Sequence, residues 1–193
     1  MNKELEKWMR EDGVKFLRMI GIESGQTVLD FGARVGHYAV PAAIVAGEKG
    51  MVYALDKDAK ALDELMQIAE AEGLNNIRRV DVSGNVKIPL GGESVDAILL
   101  YDVLHLIDDR KVLYKEVYRV LRHLGLLSVY PKHNKLDSPG WGLENMTPED
   151  IISEVEYHGF SFTRKYCGTL SHDDDLNYGC VLNFKRNRNT RGG

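Results

Sequence analysis

Residues 28–40, VLDFGARVGHYAV, join an apolar run, a turn that contains glycine and a helix-forming segment. The apolar run predicts the end of a buried strand, Gly32 and Gly36 allow the backbone to turn tightly, and residues 38–46 predict the following helix. A strand, a turn and a helix in this order leave the helix N-terminus free to bind a polar ligand. The stretch therefore predicts a nucleotide-type site, although Arg34 stands where such loops usually have a second glycine.

Composition and charge restrict the class of protein. A chain of 193 residues with 44% hydrophobic and 28% charged residues is typical of one globular domain with its own core. A formal net charge of −4 favours neither nucleic acid nor an anionic membrane as a partner. Charges interrupt every apolar run well before the roughly 20 residues of a membrane span, and the charged N-terminus differs from a signal sequence. We expect a cytoplasmic protein that binds no nucleic acid.

The two cysteines, Cys167 and Cys180, lack the C-x-x-C spacing of a metal site. In a reducing compartment we expect both thiols to pack as small hydrophobic side chains. Pairing across a hairpin is the alternative. The sequence predicts no metal site.

Strand and helix patterns alternate through the middle of the chain. The predicted strands are residues 27–31, 51–55, 77–82, 94–101 and 126–130. The predicted helices are residues 38–46, a helix from the N-cap Asp58 to Gly73, and a helix from Asp108 or Asp109 to His123, with Gly125 ending it. Such alternation predicts right-handed crossovers and a parallel sheet.

The N-terminal segment has a different pattern. Residues 3–20 place apolar side chains at near-helical spacing, which predicts one or two amphipathic helices broken near Gly13 that cover the sheet. We expect one domain over residues 1–186, with a helical cap at residues 1–22 and a disordered tail at residues 187–193.

The pattern also changes after Pro131. A polar stretch with glycine and proline precedes a helix that Thr147 can N-cap. Residues 160–167 and 178–185 then alternate apolar and polar side chains around the connection HDDDLN. This pattern predicts two antiparallel strands.

Ligands of open α/β sheets bind at the carboxyl ends of the strands, so the residues that follow each strand are candidate contacts. After the first four strands these are Asp30, Gly32, Arg34 and Gly36; then Asp56; then Asp81; and finally Tyr101, Asp102 and His105. Asp56 follows Gly36 by 20 residues, where an acidic side chain can accept both hydroxyls of a ribose. A solvated aspartate in a turn is the alternative.

Several longer stretches resemble the class I S-adenosylmethionine-dependent methyltransferases of the small type 11 group, which is related to the quinone and arsenite methyltransferases. The matching stretches are VLDFGARVGHYAVPAA, GEKGMVYALDKDAKAL, SVDAILLYDVLHLIDD, EVYRVLRHLGLLSVY and HGFSF. The resemblance extends over nearly all of residues 12–186. It implies a Rossmann-like three-layer α/β sandwich whose mostly parallel seven-stranded sheet ends in an antiparallel hairpin. It also implies S-adenosyl-L-methionine as the cofactor and a small-molecule methyl acceptor.

The resemblance assigns roles to the candidate contacts. Gly32 and the backbone as far as Gly36 would lie under the methionine part of the cofactor. Asp56 would hold the ribose, and Tyr101 would pass beside it.

The adenine contact is open between two residues. Asp81 is the candidate for the adenine amino group, and Asn85 competes with it because the loop at residues 82–89 does not align cleanly with the family. A NAD site is the rival ligand, but the turn has the sequence G-A-R-V-G instead of G-x-G-x-x-G, and no substrate domain follows.

Methyl transfer asks mainly that the enzyme align a nucleophile with the methyl group in a dry cavity. His105 is the predicted general base, and a loop histidine bonded to backbone is the alternative. We predict that His37 is exposed. Tyr38 and Trp141 are candidates for the acceptor side of the site, although Trp141 could instead cover the edge of the core.

The acceptor is not identified by the sequence. The family commonly has an acidic residue after the fifth strand, where this chain has Pro131 and Lys132. The oligomeric state is equally undetermined.

Two hypotheses follow for the function. The first is an active methyltransferase on a small molecule. The second is a non-catalytic or altered-ligand relative, because Arg34 could occlude the cofactor loop and because His123 and Leu124 replace the usual proline and glycine before Gly125. Arg34 could also bind the carboxylate of the cofactor.

Overall fold

A computed structural model of the protein describes residues 3–84 and 86–188, which contain a seven-stranded sheet. The strands are β1 (Thr27–Phe31), β2 (Met51–Asp56), β3 (Ile77–Asp81), β4 (Val95–Tyr101), β5 (Leu121–Tyr130), β6 (Phe160–His172) and β7 (Asp175–Arg186). The helices are α1 (Lys3–Lys7), α2 (Gly13–Ile20), α3 (Ala39–Ala46), α4 (Ala59–Ala71), α5 (Arg110–Val120) and α6 (Pro148–Tyr157). A π-helical turn at Trp8–Asp12 and a 3-10 turn at Leu104–Leu106 complete the helical segments.

The strands lie in the order β3-β2-β1-β4-β5-β7-β6. The first five strands are parallel, whereas β7 runs antiparallel to both β5 and β6. The predicted Rossmann-like sheet with its antiparallel C-terminal hairpin is therefore confirmed. The order reverses between β1 and β4, which opens a crevice at the carboxyl ends of these two strands.

Two apolar clusters cover the two faces of the sheet. Neighbouring residues of a strand point to opposite faces, so Val28 packs in one cluster and Leu29 in the other. The first cluster includes buried side chains of α2 and α3, such as Leu17 and Val40, and the second includes those of α5 and α6, such as Val117 and Val155. Burial on both faces explains why the central strands are nearly continuous apolar runs.

The N-terminal segment is helical through the position where we predicted a break. Gly13 has helical backbone angles and begins α2 directly after the π-helical turn. A Cβ atom at Gly13 would lie 2.8 Å from the carbonyl oxygen of Trp8, so glycine is needed for packing here and does not end a helix. The buried Trp8 indole donates a 2.8 Å hydrogen bond to the carbonyl of His37, which fixes the segment on the start of α3.

Helix α5 ends at Val120, three residues before the predicted end at His123. The carbonyl of Val120 accepts a hydrogen bond from the backbone of Ser94, and Leu121 pairs with Val95 in the sheet. Sheet pairing therefore replaces the last helical turn. Leu124 has a φ of +59°, the left-handed conformation that explains why glycine is usual at this position.

The C-terminal hairpin is longer than predicted. The segment HDDDLN forms the end of β6, a tight turn at residues 173–174 and the start of β7. Leu170 and Ser171 are buried, so tertiary packing extends the strands where the local pattern is hydrophilic. The extension brings the tip of the hairpin to the crevice of the parallel sheet.

Cys167 and Cys180 form a disulfide. The two residues lie directly opposite each other on β6 and β7, with their Cα atoms 4.0 Å apart. The expectation of two separate thiols is wrong, because hairpin register brings the side chains together.

We predicted a disordered tail from residue 187, but Asn187 is held by hydrogen bonds. The backbone of Asn187 donates to Gly159 and its carbonyl accepts from the hydroxyl of Tyr118. Residues 189–193 lie outside the described residues. In the described part of the chain, none of the helices has the length and apolar character needed to cross a membrane.

A buried polar chain connects the sheet to the N-terminal helices. The Tyr101 hydroxyl bonds to Ser128, Ser128 donates to Asn183, and the Asn183 amide donates to the carbonyl of Ile20. We predict that Asn183→Leu, which leaves Ser128 and Ile20 without this partner, lowers the free energy of unfolding by roughly 2–3 kcal/mol.

Urea unfolding of wild type and variant measures this loss. The control is Asn75→Leu at an exposed loop position, whose side chain makes a 3.4 Å contact to Gly73 and which we expect to change stability by at most about 0.5 kcal/mol. Equal effects of the two substitutions on the free energy of unfolding would contradict a stabilising role for these buried hydrogen bonds.

Candidate cofactor and active site

A cavity of about 310 Å³ lies at the carboxyl ends of β1, β2 and β4. Its walls are residues 31–34, 37–38, 55–58, 82, 84, 101–103, 106–107 and 171–173. These residues belong to five segments of the chain, within residues 31–38, 55–58, 82–84, 101–107 and 171–173, which converge at the point where the strand order reverses. The size is in the range of pockets that bind small molecules, which is roughly 300–1,000 Å³.

The glycine loop after β1 is tied to the end of β2. Gly32 donates from its backbone to the carbonyl of Leu55 at 2.8 Å and has a φ of +84°. A Cβ atom there would lie 2.4 Å from Cγ1 of Val103, so both backbone angle and packing require glycine. Gly36 has a φ of +96° and packs closely against Leu65.

Arg34 adopts a left-handed backbone conformation that favours glycine, with a φ of +45°. Its backbone amide donates to Oδ2 of Asp56 at 2.8 Å. Its guanidinium Nη1 lies 2.8 Å from Oδ1 of Asp173 at the hairpin tip, and both side chains are more than half exposed. The side chain is therefore held at the rim of the cavity.

Asp56 is fixed on the cavity wall by backbone donors. Its Oδ2 accepts from Arg34 and its Oδ1 accepts from Asp58 at 2.9 Å, while the residue is only 8% exposed. Each carboxylate oxygen can accept more than one hydrogen bond, so both retain capacity for a ligand hydroxyl. The structure thus places the predicted ribose residue in the cavity with its orientation fixed.

Asp30 is buried below the loop and is not part of the cavity wall. It accepts a hydrogen bond from the backbone of Ala39, and its Oδ2 has no hydrogen-bond partner among the described residues. Burial, together with the charge of Asp56, raises the pKa of Asp30 to about 7. The residue supports the loop from behind and does not reach the cavity.

Asp81 lies outside the cavity, contrary to the role that we predicted. Its carboxylate is paired with the guanidinium of Arg79 and is exposed. Val82 and Gly84 form that part of the wall. Asn85, the competing candidate for adenine, lies outside the described residues.

Tyr38 and Tyr101 both line the cavity, and their rings pack edge to face at 4.5 Å. The hydroxyl of Tyr38 donates to the carbonyl of Ser171 at 2.8 Å, so its polar atom is already paired. Burial raises the pKa of both phenols above their usual value. The two residues give the cavity an aromatic wall.

His37 is buried, which corrects the prediction that it is exposed. Its Nδ1 lies 3.0 Å from the hydroxyl of Ser171, and burial lowers its pKa. The extended strand β6 supplies Ser171 and covers the ring, so the local helix pattern could not indicate this burial.

His105 and Trp141 do not line the cavity. Nδ1 of His105 lies 3.5 Å from Oδ1 of Asp102, and burial lowers the pKa of the imidazole. The Trp141 side chain is exposed, with its ring packed on that of His133 at a centroid distance of 4.4 Å. Neither residue is part of the cavity wall.

His172 is a cavity residue that sequence reasoning missed. Its Nδ1 donates to Oδ2 of Asp102 at 2.5 Å, and both residues line the cavity. The polar segment HDDDLN predicted a hairpin connection, so it carried no signal for a site. Asp102 did stand among the strand-end candidates, because it directly follows β4.

Comparison with known families identifies the family of the chain. A family model described as a methyltransferase domain, of the type 11 group, matches residues 29–129, more than half of the chain. The chain belongs to the class I S-adenosylmethionine-dependent methyltransferases. The matched residues include the glycine loop, Asp56 and Asp102, and they end just before the last residue of β5.

Curated relatives support the same family. The chain is 29% identical to a demethylmenaquinone methyltransferase of Geobacillus kaustophilus over 121 residues, which are 62% of this chain and 49% of that protein. It is 24% identical to a ubiquinone/menaquinone biosynthesis C-methyltransferase of Haemophilus ducreyi over 143 residues, 70% of this chain and 52% of that protein. The alignments thus span about half the length of these relatives.

A solved structure shows the same fold. The S-adenosylmethionine-dependent methyltransferase of Aquifex aeolicus superposes with a TM-score of 0.72 at 24% identity, covering 94% of this chain and 93% of that one. At this identity the similarity establishes the fold alone.

The raised pKa of Asp30 gives a testable pH dependence. The folded protein keeps the proton up to about pH 7, whereas the unfolded chain loses it near 3.8. The folded state therefore binds more protons between these values, and stability decreases as the pH rises through this window. We predict that Asp30→Asn removes a decrease on the order of a few kcal/mol between about pH 4 and about pH 7.

Urea unfolding at a series of pH values tests this prediction. The control, Asp108→Asn, removes a carboxylate at an exposed position. A stability difference between wild type and Asp30→Asn that stays constant with pH would contradict the raised pKa.

Proposed function

We propose that this protein binds S-adenosyl-L-methionine in the cavity and transfers its methyl group to a small-molecule acceptor. The observation that carries the proposal is the Asp56 carboxylate, which two backbone amides orient on the cavity wall beside the glycine loop. An oriented, nearly buried carboxylate with free acceptor capacity suits the two hydroxyls of a ribose. Because the chain belongs to a methyltransferase family, we expect this ribose to be that of S-adenosyl-L-methionine.

The other cavity residues suit the remaining parts of the cofactor. The turn at residues 32–34 would lie under the methionine portion, and the wall at Val82 and Gly84 would contact the adenine. Asp81 is not carried forward for that contact, because its carboxylate is paired with Arg79 outside the cavity.

When bound, the cofactor supplies an activated methyl group, because this group is carried on a sulfonium sulfur. The protein then has to align the acceptor and exclude water. The aromatic wall of Tyr38 and Tyr101 and the apolar side chains of Val103, Leu106 and Ile107 provide a largely apolar surface for this purpose. The acceptor itself stays unassigned, although the quinone-related names of the curated relatives make quinols the first compounds to assay.

The cytoplasmic location remains a prediction. Disulfides are rare in reducing compartments, so the Cys167–Cys180 disulfide is the observation that argues against it.

The ribose role of Asp56 predicts a selective loss of affinity. We expect Asp56→Ala to weaken S-adenosyl-L-methionine binding by roughly 10- to 100-fold, because it removes charge-assisted hydrogen bonds to two hydroxyls. Asp81→Ala is the matched control outside the cavity and should leave the affinity unchanged. Isothermal titration calorimetry measures both constants.

Two nucleosides, one with and one without the ribose hydroxyls, distinguish a loss of hydroxyl contacts from a disturbance of the loop in Asp56→Ala. Adenosine should lose affinity in Asp56→Ala, whereas 2′,3′-dideoxyadenosine should bind wild type and variant equally. Equal losses for both nucleosides would contradict the ribose role, and the absence of cofactor binding by wild type would contradict the proposed function.

Arg34 tests the alternative of an altered-ligand relative. Because the guanidinium is held by Asp173 at the rim, we expect Arg34→Gly to bind S-adenosyl-L-methionine within about threefold of wild type, a difference below 1 kcal/mol. Binding that appears only in the glycine variant would establish that Arg34 occludes the loop. A loss of more than about tenfold would instead assign Arg34 to the cofactor carboxylate.

A further inference from the structure

Three side chains from different segments converge at Asp102, beside the cavity, and the ring of one of them, His133, packs against that of His172. Oδ1 of Asp102 at the end of β4 faces Nδ1 of His105 in the 3-10 turn and Nε2 of His133 in the loop after β5. One ligand atom from each of the three residues lies within 4.8 Å of those of the other two. We call this group the Asp–His–His cluster.

The cluster contains buried polar atoms that lack hydrogen bonds. Among the described residues, Oδ1 of Asp102 and Nδ1 of His105 are buried without a hydrogen-bond partner, although they lie 3.5 Å apart. The side chains of His105 and His133 are only 10% and 9% exposed. Buried polar atoms are nearly always paired in folded proteins, so these two atoms indicate a missing partner.

The hydrogen bonds around the cluster determine which atoms face one another. Nδ1 of His133 lies 3.0 Å from the carbonyl oxygen of Ser138, and a carbonyl can only accept, so this nitrogen carries the proton. In the neutral ring, Nε2 then presents a lone pair to Oδ1 of Asp102 at 3.8 Å. A lone pair and a carboxylate oxygen repel each other unless a positive charge lies between them.

The other oxygen of Asp102 is fixed separately. Oδ2 accepts the hydrogen bond from His172, which leaves Oδ1 directed at the two histidines. In many metal sites a ligating histidine donates a hydrogen bond from its second ring nitrogen to a carbonyl, and a ligating carboxylate accepts a further hydrogen bond. The arrangement around Asp102 and His133 has this form.

We propose that the Asp–His–His cluster binds a divalent first-row transition metal ion, of which zinc is the representative. Ligand atoms about 2.1 Å from a tetrahedral zinc ion are separated by about 3.4 Å. The Asp102 oxygen lies 3.5 Å from the His105 nitrogen and 3.8 Å from the His133 nitrogen, so these two separations are already close to the value that zinc requires. Two imidazoles and one carboxylate form a donor set suited to zinc or ferrous iron.

The location gives the ion a role in the proposed reaction. Asp102 and His172 line the cavity, so the ion lies at its edge. Three protein ligands leave a coordination position for another group, such as a hydroxyl or thiol of the acceptor. This role rests on the proposed function, whereas binding of the ion does not.

Direct metal titration tests the site without any cofactor. Chelator-treated protein without a purification tag is titrated with Zn²⁺ by calorimetry and with Co²⁺ by visible absorption, and we expect a single ion per chain with nitrogen and oxygen ligation. His105→Ala and His133→Ala should each weaken Zn²⁺ binding at least about tenfold. His123→Ala, which removes an exposed histidine outside the cluster, should bind as wild type does.

A protonated His133 is the competing source of positive charge. Nitrogen-15 NMR of the metal-free protein at neutral pH distinguishes an Nε2 lone pair from an imidazolium. Folded wild type that binds Zn²⁺ no better than the double variant His105→Ala/His133→Ala would overturn the metal proposal, and a doubly protonated His133 would then identify the proton as the positive charge. Because S-adenosyl-L-methionine binding is measured separately, this result would leave the proposed function intact.

Discussion

The carboxylate of Asp56 holds together the two loops on which the cavity depends. It accepts backbone hydrogen bonds from Arg34 in the loop after β1 and from Asp58 in the loop after β2. The backbone of Gly32 adds a bond to Leu55, so the ends of two neighbouring strands form one rigid wall. A carboxylate bound by amides is well oriented before any ligand arrives, which reduces the entropy that binding costs. The same wall also contains Arg34 at the rim, where it meets the hairpin.

The C-terminal hairpin closes the opposite side of the cavity. Ser171 bonds to both His37 and Tyr38, His172 donates to Asp102, and Asp173 pairs with Arg34. One short segment at the tip of β6 thus contacts the glycine loop, the start of α3 and the end of β4. The antiparallel strands of this fold therefore contribute directly to the candidate site, in addition to completing the sheet.

Local signals predicted the parallel part of the fold well, because burial on both faces produces apolar runs and because helix caps use characteristic side chains. Asp58, Asp109 and Thr147 all cap helices as expected. The errors occur where distant contacts override local preference: β-pairing ends α5 early, and buried Leu170 and Ser171 lengthen β6. For the site, Asp56 lies where the spacing after the glycine loop predicted it, whereas Asp81 is turned outward by Arg79.

The amino-acid sequence by itself determined the alternation of strands and helices in residues 27–130, the glycine loop and the family, since each depends on neighbours along the chain or on regular spacing. Only the tertiary structure decided the position of Arg34 at the rim, the Cys167–Cys180 disulfide and the grouping of Asp102, His105, His133 and His172. The physical reason is that these side chains come from segments up to 139 residues apart, as in the contact of Arg34 with Asp173. Their proximity follows from packing of the whole sheet and hairpin, which no local pattern records.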